Sequence, residues 1–181
     1  MTFASLLQLC YSSFHENQAS QMNIPAQDTT MIHTLQKEVV LGTTIGECWK
    51  FLQNPHNLND ITPPDLDFQI VSPTPEKMYN GLMIEYRIRI PLLGGQTWLT
   101  EIRHIRESES FVDEQRYGPF RFWHHFHGIE EVEAGVLSRD RVTYIMPFGA
   151  VGEFLHWFYV RTTLERIFSY RQTRLLQLFP G

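Results

Sequence analysis

The chain has little cysteine, few basic residues and no long apolar run. Its 181 residues contain two cysteines, Cys10 and Cys48, which excludes a disulfide framework and a four-cysteine zinc site. No apolar run approaches the roughly 18 residues that indicate a membrane-spanning helix, so we expect no integral membrane association. Fifteen basic residues against 20 acidic ones give a net charge of -5, which does not favour nucleic acid. These absences predict a cytoplasmic protein.

The first thirty residues differ from the rest of the chain because they contain no Lys or Arg. A secretory signal needs positive charge ahead of its apolar stretch, and this stretch has none. We therefore interpret residues 1–30 as a flexible leader and residues 31–181 as a single domain. Because the leader lacks a sustained pattern, we expect its deletion to change stability only slightly.

The domain begins with a strand and two short helical segments. Residues 33–41 alternate weakly and end in apolar residues, which is typical of a first strand. Thr44 is placed to cap a short helix with Glu47 three residues later, the spacing of a capping box. Asn54-Pro55 ends this helix, and residues 57–61 are predicted to form a second short helical turn before Pro63-Pro64.

Period-two alternation then continues through most of the chain. Residues 83–90 show it best, with isoleucines and Tyr86 on one face and charged residues on the other. Further strands are predicted at 68–71, 97–106, 111–117, 121–133 and 136–148. Serial strands without intervening helices indicate an antiparallel meander.

The C-terminal segment changes to helical spacing, which predicts one long amphipathic helix over residues 153–179. Arg171 lies in the middle of its apolar stripe, which consists of Trp157, Val160, Leu164, Ile167, Phe168, Leu175 and Leu178. The predicted fold class is therefore α+β. A curved antiparallel sheet wraps around a long C-terminal helix, with two short helices after the first strand.

Five motifs follow one another in the second half of the chain: FVDEQ at 111–115, YGPF at 117–120, Trp123 with His125 and His127, DRVTYIMPFG at 140–149 and IFSYR at 167–171. In this order they resemble the SRPBCC (START-like) ligand-binding superfamily. Within it, they are most similar to a bacterial branch related to polyketide cyclase and quinone-binding proteins.

The resemblance implies the helix-grip (START/Bet v 1-like) fold, with a cavity between the concave face of the sheet and the long helix. It also implies a small hydrophobic molecule as the partner. In some relatives the module is fused to a sugar-nucleotide epimerase-like domain, so a separate epimerase-like partner protein is implied here. The same fold supports both binding and catalysis, and function must be argued from the site.

Alternation places Trp123, His125, His127 and Ile129 on one face of a strand, which we predict faces the cavity. Two histidines at this spacing suit a metal only with a third ligand, such as Glu101 or Asp113. A hydrogen-bonded histidine pair is favoured, so we predict neither a metal nor a cofactor. His104 and His156 are interpreted as surface or edge residues.

Several other residues are candidates for the cavity wall. Val142, Tyr144 and Met146 share a face that should point inward, and the Tyr144 hydroxyl then either orients a ligand or meets a backbone carbonyl. The predicted ligand-binding set is Tyr86, Gln115, Trp123, His125, His127, Tyr144, Trp157 and Arg171.

Arg171 needs an anion or another acceptor, because an unpaired arginine is costly to bury. The candidate acceptors are Asp113, Glu101, Gln115, a cavity histidine or the ligand. Two readings of Asp113 stay open: it is the counterion of Arg171, or it faces water while Gln115 ties strands together.

Two function classes remain. The first is a carrier, sensor or chaperone for a lipid, an isoprenoid quinone or a polyketide-like molecule. The alternative is a polyketide cyclase or dehydratase that uses a cavity histidine and Tyr144 as acid and base. No nucleophile–base pair, phosphate loop or dinucleotide fingerprint is present, so binding is favoured over catalysis.

Overall fold

The structure, a computed structural model of the chain, describes residues 31–90 and 94–181. The predicted leader, residues 1–30, lies outside the described residues. Within the described residues, seven antiparallel strands form one sheet in the order β1-β7-β6-β5-β4-β3-β2. The strands are β1 (Ile32–Leu41), β2 (Gln69–Ile70), β3 (Met83–Ile90), β4 (Gly94–Arg106), β5 (Ser110–Tyr117), β6 (Phe122–Val132) and β7 (Gly135–Ile145).

Short helical segments connect β1 to β2, as predicted. Helix α1 (Ile45–Leu52) begins at Thr44, whose side chain accepts a hydrogen bond from the backbone N–H of Glu47. The Glu47 side chain accepts one from the backbone N–H of Thr44, so the predicted capping box is formed. Two 3₁₀ segments, Pro55–Ile61 and Pro64–Leu66, complete the connection.

The C-terminal helix consists of three consecutive segments. Helix α2 (Gly149–Leu155) leads into a π-helical turn (His156–Val160), and α3 (Arg161–Leu178) continues from it. The prediction of an α+β helix-grip fold with a long C-terminal helix is therefore confirmed. The π-helical turn was not predicted.

The core lies between the concave face of the sheet and α3. On β7 the inward face carries Val136, Val142 and Tyr144, which are all buried. On α3 the buried residues are Leu164, Phe168, Arg171 and Leu175. Their spacing of three to four residues presents one helix face to the sheet.

The turn between β6 and β7 depends on a glycine. Gly135 has a φ of +126°, a backbone conformation that L side chains rarely adopt. A Cβ atom at this position would also collide with the carbonyl oxygen of Leu41 at the end of β1. This close approach lets the last residues of β1 pair with the start of β7.

Candidate functional site

A cavity of about 180 Å³ lies between the sheet and α3. Most of its wall is apolar, with Leu58 and Ile61 at one side, Ile84 on the sheet and Leu164 on α3. Polar side chains reach it mainly from β5, β6 and α3, namely Asp113, His125, His127 and Arg171. An apolar pocket with a few convergent polar groups is the usual form of a small-molecule site.

Two histidines lie between two aspartates beside this cavity. His125 Nδ1 lies 3.1 Å from Asp113 Oδ2, and its Nε2 lies 2.9 Å from Asp140 Oδ1. His127 reaches the same two oxygen atoms, with Nε2 at 2.9 Å from Asp113 and Nδ1 at 3.1 Å from Asp140. Alternation on β6 places both rings on one face, and β5 and β7 on either side supply the carboxylates.

Arg171 joins this network from α3. Its Nε lies 3.4 Å from Asp140 Oδ2, close enough for an ion pair but without hydrogen-bond alignment. Its Nη2 lies 3.2 Å from His127 Nδ1. At the opposite end of the network, Trp123 Nε1 donates to Asp113 Oδ1 at 3.3 Å. The buried guanidinium is thus paired with Asp140, and its Nε makes no hydrogen bond.

The contacts of His127 assign the protons. Nδ1 of His127 faces both an Arg171 donor and an Asp140 oxygen, and only a neutral ring accepts from the guanidinium at this nitrogen. His127 then donates from Nε2 to Asp113. In this assignment His125 donates from both ring nitrogens, to Asp113 and Asp140, and carries the positive charge. The two positive charges of His125 and Arg171 then balance the two carboxylates.

The pKa shifts agree with this assignment. Burial alone would lower the pKa of His125, but Asp113 and Asp140 outweigh it and raise that pKa above its ordinary value. Burial and the charge of His125 lower the pKa of His127. Burial alone would raise the pKa of Asp140, but the Arg171 charge and the hydrogen bond from His125 hold it well below its usual range.

The same network contains one candidate set of metal ligands. The ligand atoms of Asp113, His125 and His127 all lie within 4.8 Å of one another. An ion there would replace the hydrogen bonds between the histidines and Asp113. Since the charges of the network already cancel, its stability does not require a cation. We therefore interpret this group as a hydrogen-bonded network on the cavity wall.

Five of the predicted ligand-binding residues line the cavity: Tyr86, Trp123, His125, His127 and Arg171. The predicted inward face of β6 is confirmed by the burial of Trp123, His125 and His127. Trp98 also lines the cavity and packs edge-on against Trp123, with ring centroids 5.0 Å apart. Whether these residues bind a ligand stays a prediction.

The other three predicted residues lie elsewhere. Gln115 donates to the backbone carbonyl of Phe120 at 2.6 Å and so ties the β5–β6 loop to β5. Tyr144 is buried, but its hydroxyl lies 2.8 Å from His156 Nε2 rather than in the cavity. Trp157 is 69% exposed, so its predicted inward orientation is wrong.

The error at Trp157 has a geometric cause. A helical wheel at 100° per residue assumes an uninterrupted α-helix. The π-helical turn at His156–Val160 hydrogen-bonds over five residues instead of four, which rotates the residues within it, including Trp157, and those before it relative to α3. Residues after the turn, including Leu164 and Arg171, keep the predicted phase and are buried.

Among the expected partners of Arg171, a cavity histidine is confirmed, since His127 Nδ1 lies 3.2 Å from Nη2, but the expected carboxylates need correction. Asp113 faces the histidines and Trp123, and Glu101 pairs with Arg116. The carboxylate beside Arg171 is Asp140, which was not predicted. A signal for it was present, because Asp140 precedes Val142 by two residues and so shares its inward face.

The prediction that His104 and His156 are surface or edge residues is confirmed only in part. His104 is exposed, at an irregularity of β4 where its φ is +53°. His156 is half-buried and contacts Tyr144.

The chain matches no family model and no curated protein sequence. It is similar in structure to a Chromobacterium violaceum protein, with 12% identity over 82% of this chain and 98% of that one, at a TM-score of 0.60. It is similar to Ara h 8.0201, of the Bet v 1 family, with 15% identity over 81% and 99% of the two chains, at a TM-score of 0.54.

A nucleoside-diphosphate sugar epimerase from Corynebacterium glutamicum is also similar, with 19% identity and a TM-score of 0.56. The match covers 79% of this chain and 28% of the epimerase chain. At these identities the similarities show the fold alone, which is Bet v 1-like. Within residues 31–90 and 94–181, no helix combines the length and apolar character needed to cross a bilayer.

Proposed function

We propose that the protein binds a small, mostly apolar molecule that carries a polar group, in the cavity between the sheet and α3. The observation that carries this proposal is the combination of apolar walls with a charge-balanced polar network at the same cavity. A filled core would not leave this space, and a purely structural ion network would not need to line it.

The volume narrows the class of ligand. A cavity of about 150 Å³ in another protein binds benzene, so the 180 Å³ found here suits a molecule with about one ring. A quinone ring or a cyclised polyketide ring therefore fits better than an intact phospholipid, which would need the cavity to expand. Arg171 would donate to a carbonyl oxygen of such a ring.

Equilibrium binding of two single-ring probes, tetramethyl-1,4-benzoquinone and 4-hydroxyacetophenone, tests the proposal. Ile167→Trp fills the cavity from α3, and Leu176→Trp places the same side chain on the exposed face of α3. We expect wild type and Leu176→Trp to bind, and Ile167→Trp to lose at least about tenfold in affinity, since the bulk occupies the site. Equal binding by all three proteins, or none by monodisperse wild type, would reject the cavity as the site.

Native mass spectrometry of the purified chain, followed by denaturing extraction, identifies any molecule that co-purifies. A carrier of the bacterial quinone-binding or polyketide-cyclase branch would retain a quinone-like or polyketide-like molecule. A phospholipid recovered in stoichiometric amount would contradict the size argument.

Acid–base catalysis is the second candidate, and the neutral His127 beside the cationic His125 favours it. Such a pair supplies both a proton acceptor and a proton donor at the cavity. Tyr144 is not part of this pair, because its hydroxyl meets His156. If the protein is a cyclase or dehydratase, His127→Gln should abolish turnover of a polyketide-like substrate while ligand affinity changes little.

We also propose a separate epimerase-like partner protein. The support is the C. glutamicum epimerase chain, part of which has the fold described here. A purified epimerase-like protein from the same organism should form a complex with this chain in analytical ultracentrifugation. Two independently sedimenting species would reject the partnership.

A further inference from the structure

A second cluster of metal-ligating side chains lies where β1 meets the C-terminal helix. His33 of β1 lies directly opposite Tyr144 of β7 in the sheet register. Glu153 of α2 and His156 of the π-helical turn face them. The ligand atoms of His33, Glu153 and His156 all lie within 4.8 Å of one another, and all three residues are half-buried. None of the three lines the ligand cavity, so this cluster is distinct from the proposed binding site.

The spacing along the helix suits metal binding. Residues three apart share one face of a helix, so Glu153 and His156 are presented together towards β1. The same Glu-x-x-His spacing supplies two ligands to metal sites inside helix bundles. The π-helical turn begins at His156, and π-helical turns are frequent at functional sites.

The contacts bring these donors close together. Glu153 Oε2 accepts from His33 Nε2 at 2.8 Å. The imidazoles of His33 and His156 are stacked with centroids 3.6 Å apart, and the Tyr144 hydroxyl lies 2.8 Å from His156 Nε2. An imidazole binds a metal ion in its neutral form, through Nε2 or Nδ1.

The donor set indicates the class of ion. Two imidazoles and one carboxylate match the three-ligand sites that bind Zn²⁺ and leave a fourth position for water. Mg²⁺ and Ca²⁺ prefer oxygen ligands and would not select two histidines. At zinc bond lengths, ligand atoms in a tetrahedral site lie about 3.3 Å apart. Rotation of the half-buried side chains would bring atoms now within 4.8 Å of one another to that spacing.

We propose that His33, Glu153 and His156 bind one divalent transition-metal ion, with Zn²⁺ the best match. The ion joins the first strand of the sheet to the start of the C-terminal helix. His33 and Glu153 then each bind the ion directly, and these two bonds replace the hydrogen bond between the two side chains.

Isothermal titration of the full chain with ZnCl₂ tests this proposal, after removal of any polyhistidine tag and dialysis against a chelator. We expect one saturable equivalent of Zn²⁺ and no heat of binding with MgCl₂. His33→Gln, Glu153→Gln and His156→Gln should each lower the affinity at least about tenfold, since loss of an outer-sphere partner alone costs that much. His104→Gln, which removes an exposed histidine, should bind Zn²⁺ as wild type does.

Asp113→Asn distinguishes this site from the cavity network, because it removes one of the other three candidate ligands. We expect this variant to keep its equivalent of Zn²⁺. Circular dichroism of each metal-free variant checks folding, and visible absorption of bound Co²⁺, lost in Glu153→Gln, reports the ligand set directly. No saturable binding by wild type would overturn the proposal, as would an equivalent lost in Asp113→Asn but kept in His33→Gln and His156→Gln.

Discussion

Arg171 is the positive charge that faces Asp140 in the core, so its replacement has a cost that can be worked out from the structure. Arg171→Met keeps much of the side-chain volume but removes the guanidinium. Asp140 is then left buried, with His125 Nε2 at 2.9 Å as its closest remaining partner. His127 Nδ1 loses the donor that lay 3.2 Å away.

Removal of one member of a buried ion pair typically costs about 3–5 kcal/mol. Because His125 still donates to Asp140, we expect the lower end, about 3 kcal/mol. For a protein of this length, about 1 kcal/mol corresponds to a shift of about 2–4 °C in Tm. The expected fall in Tm is therefore about 6–12 °C.

Arg166→Met is the matched control on the same helix. Arg166 pairs with Asp65 at 2.9 Å, but the side chains of both residues are about half exposed. Surface ion pairs of this kind contribute about 0–1 kcal/mol. Thermal and urea unfolding of both variants beside wild type would measure the difference between a buried and an exposed arginine.

The loss of stability caused by Arg171→Met should also depend on pH. Without the guanidinium, His127 Nδ1 lies 3.1 Å from Asp140 Oδ1, and one of the two positive charges that lower its pKa is gone while that of His125 remains. Its pKa should then rise, and a proton on Nδ1 would restore the missing charge. Because the folded variant then holds this proton more tightly than folded wild type does, the variant loses less stability than wild type as the pH falls below the unfolded-state value of about 6.5. The variant should therefore be less impaired at about pH 5.5 than at about pH 8.

Two results would refute this reasoning. If Arg171→Met and Arg166→Met have the same stability, Arg171 is not an essential counterion of Asp140. If Arg171→Met instead keeps its stability and loses affinity for a carbonyl-bearing ligand, the main partner of Arg171 is the ligand.

Three further predictions concern single positions. The raised pKa of His125 stabilises below about pH 6.5 and the lowered pKa of His127 stabilises above it. Their joint contribution to the free energy of unfolding should therefore peak near that pH. In urea unfolding, His127→Gln should lack the decrease in stability that wild type shows on the acidic side of the peak. Gly135→Ala should lower the free energy of unfolding by at least about 1 kcal/mol, because its φ is +126° and the added Cβ meets backbone; an unchanged urea midpoint would contradict this. Burial raises the pKa of the Cys48 thiol to about 11. In the Cys10→Ser variant, a thiol reagent should therefore react with Cys48 at pH 8 only after unfolding. Rapid labelling of the native variant would contradict this, because it would show that the reagent reaches the buried thiol.

The sequence by itself determined the elements of this fold, because their signals are local. Alternation along residues 83–90 depends only on the pleat of a strand, and the capping box of Thr44 and Glu47 spans three residues. Four buried positions of α3 followed from helical spacing for the same reason. The prediction that His125 and His127 face the cavity was likewise correct. Side chains alternate along a strand, so the apolar Ile129 on the same face was enough to identify that face as the inward one.

Tertiary structure alone decided which side chains meet. Asp140 lies opposite His127 because of the register between β6 and β7, and it reaches Arg171 only when α3 packs across the sheet. A one-residue change in register would move Asp140 to the outer face. The orientation of Trp157 depended on a π-helical turn, whose hydrogen bonds a periodic pattern does not encode. Partner choice in the site is therefore a property of packing, whereas the elements that carry the partners are a property of local sequence.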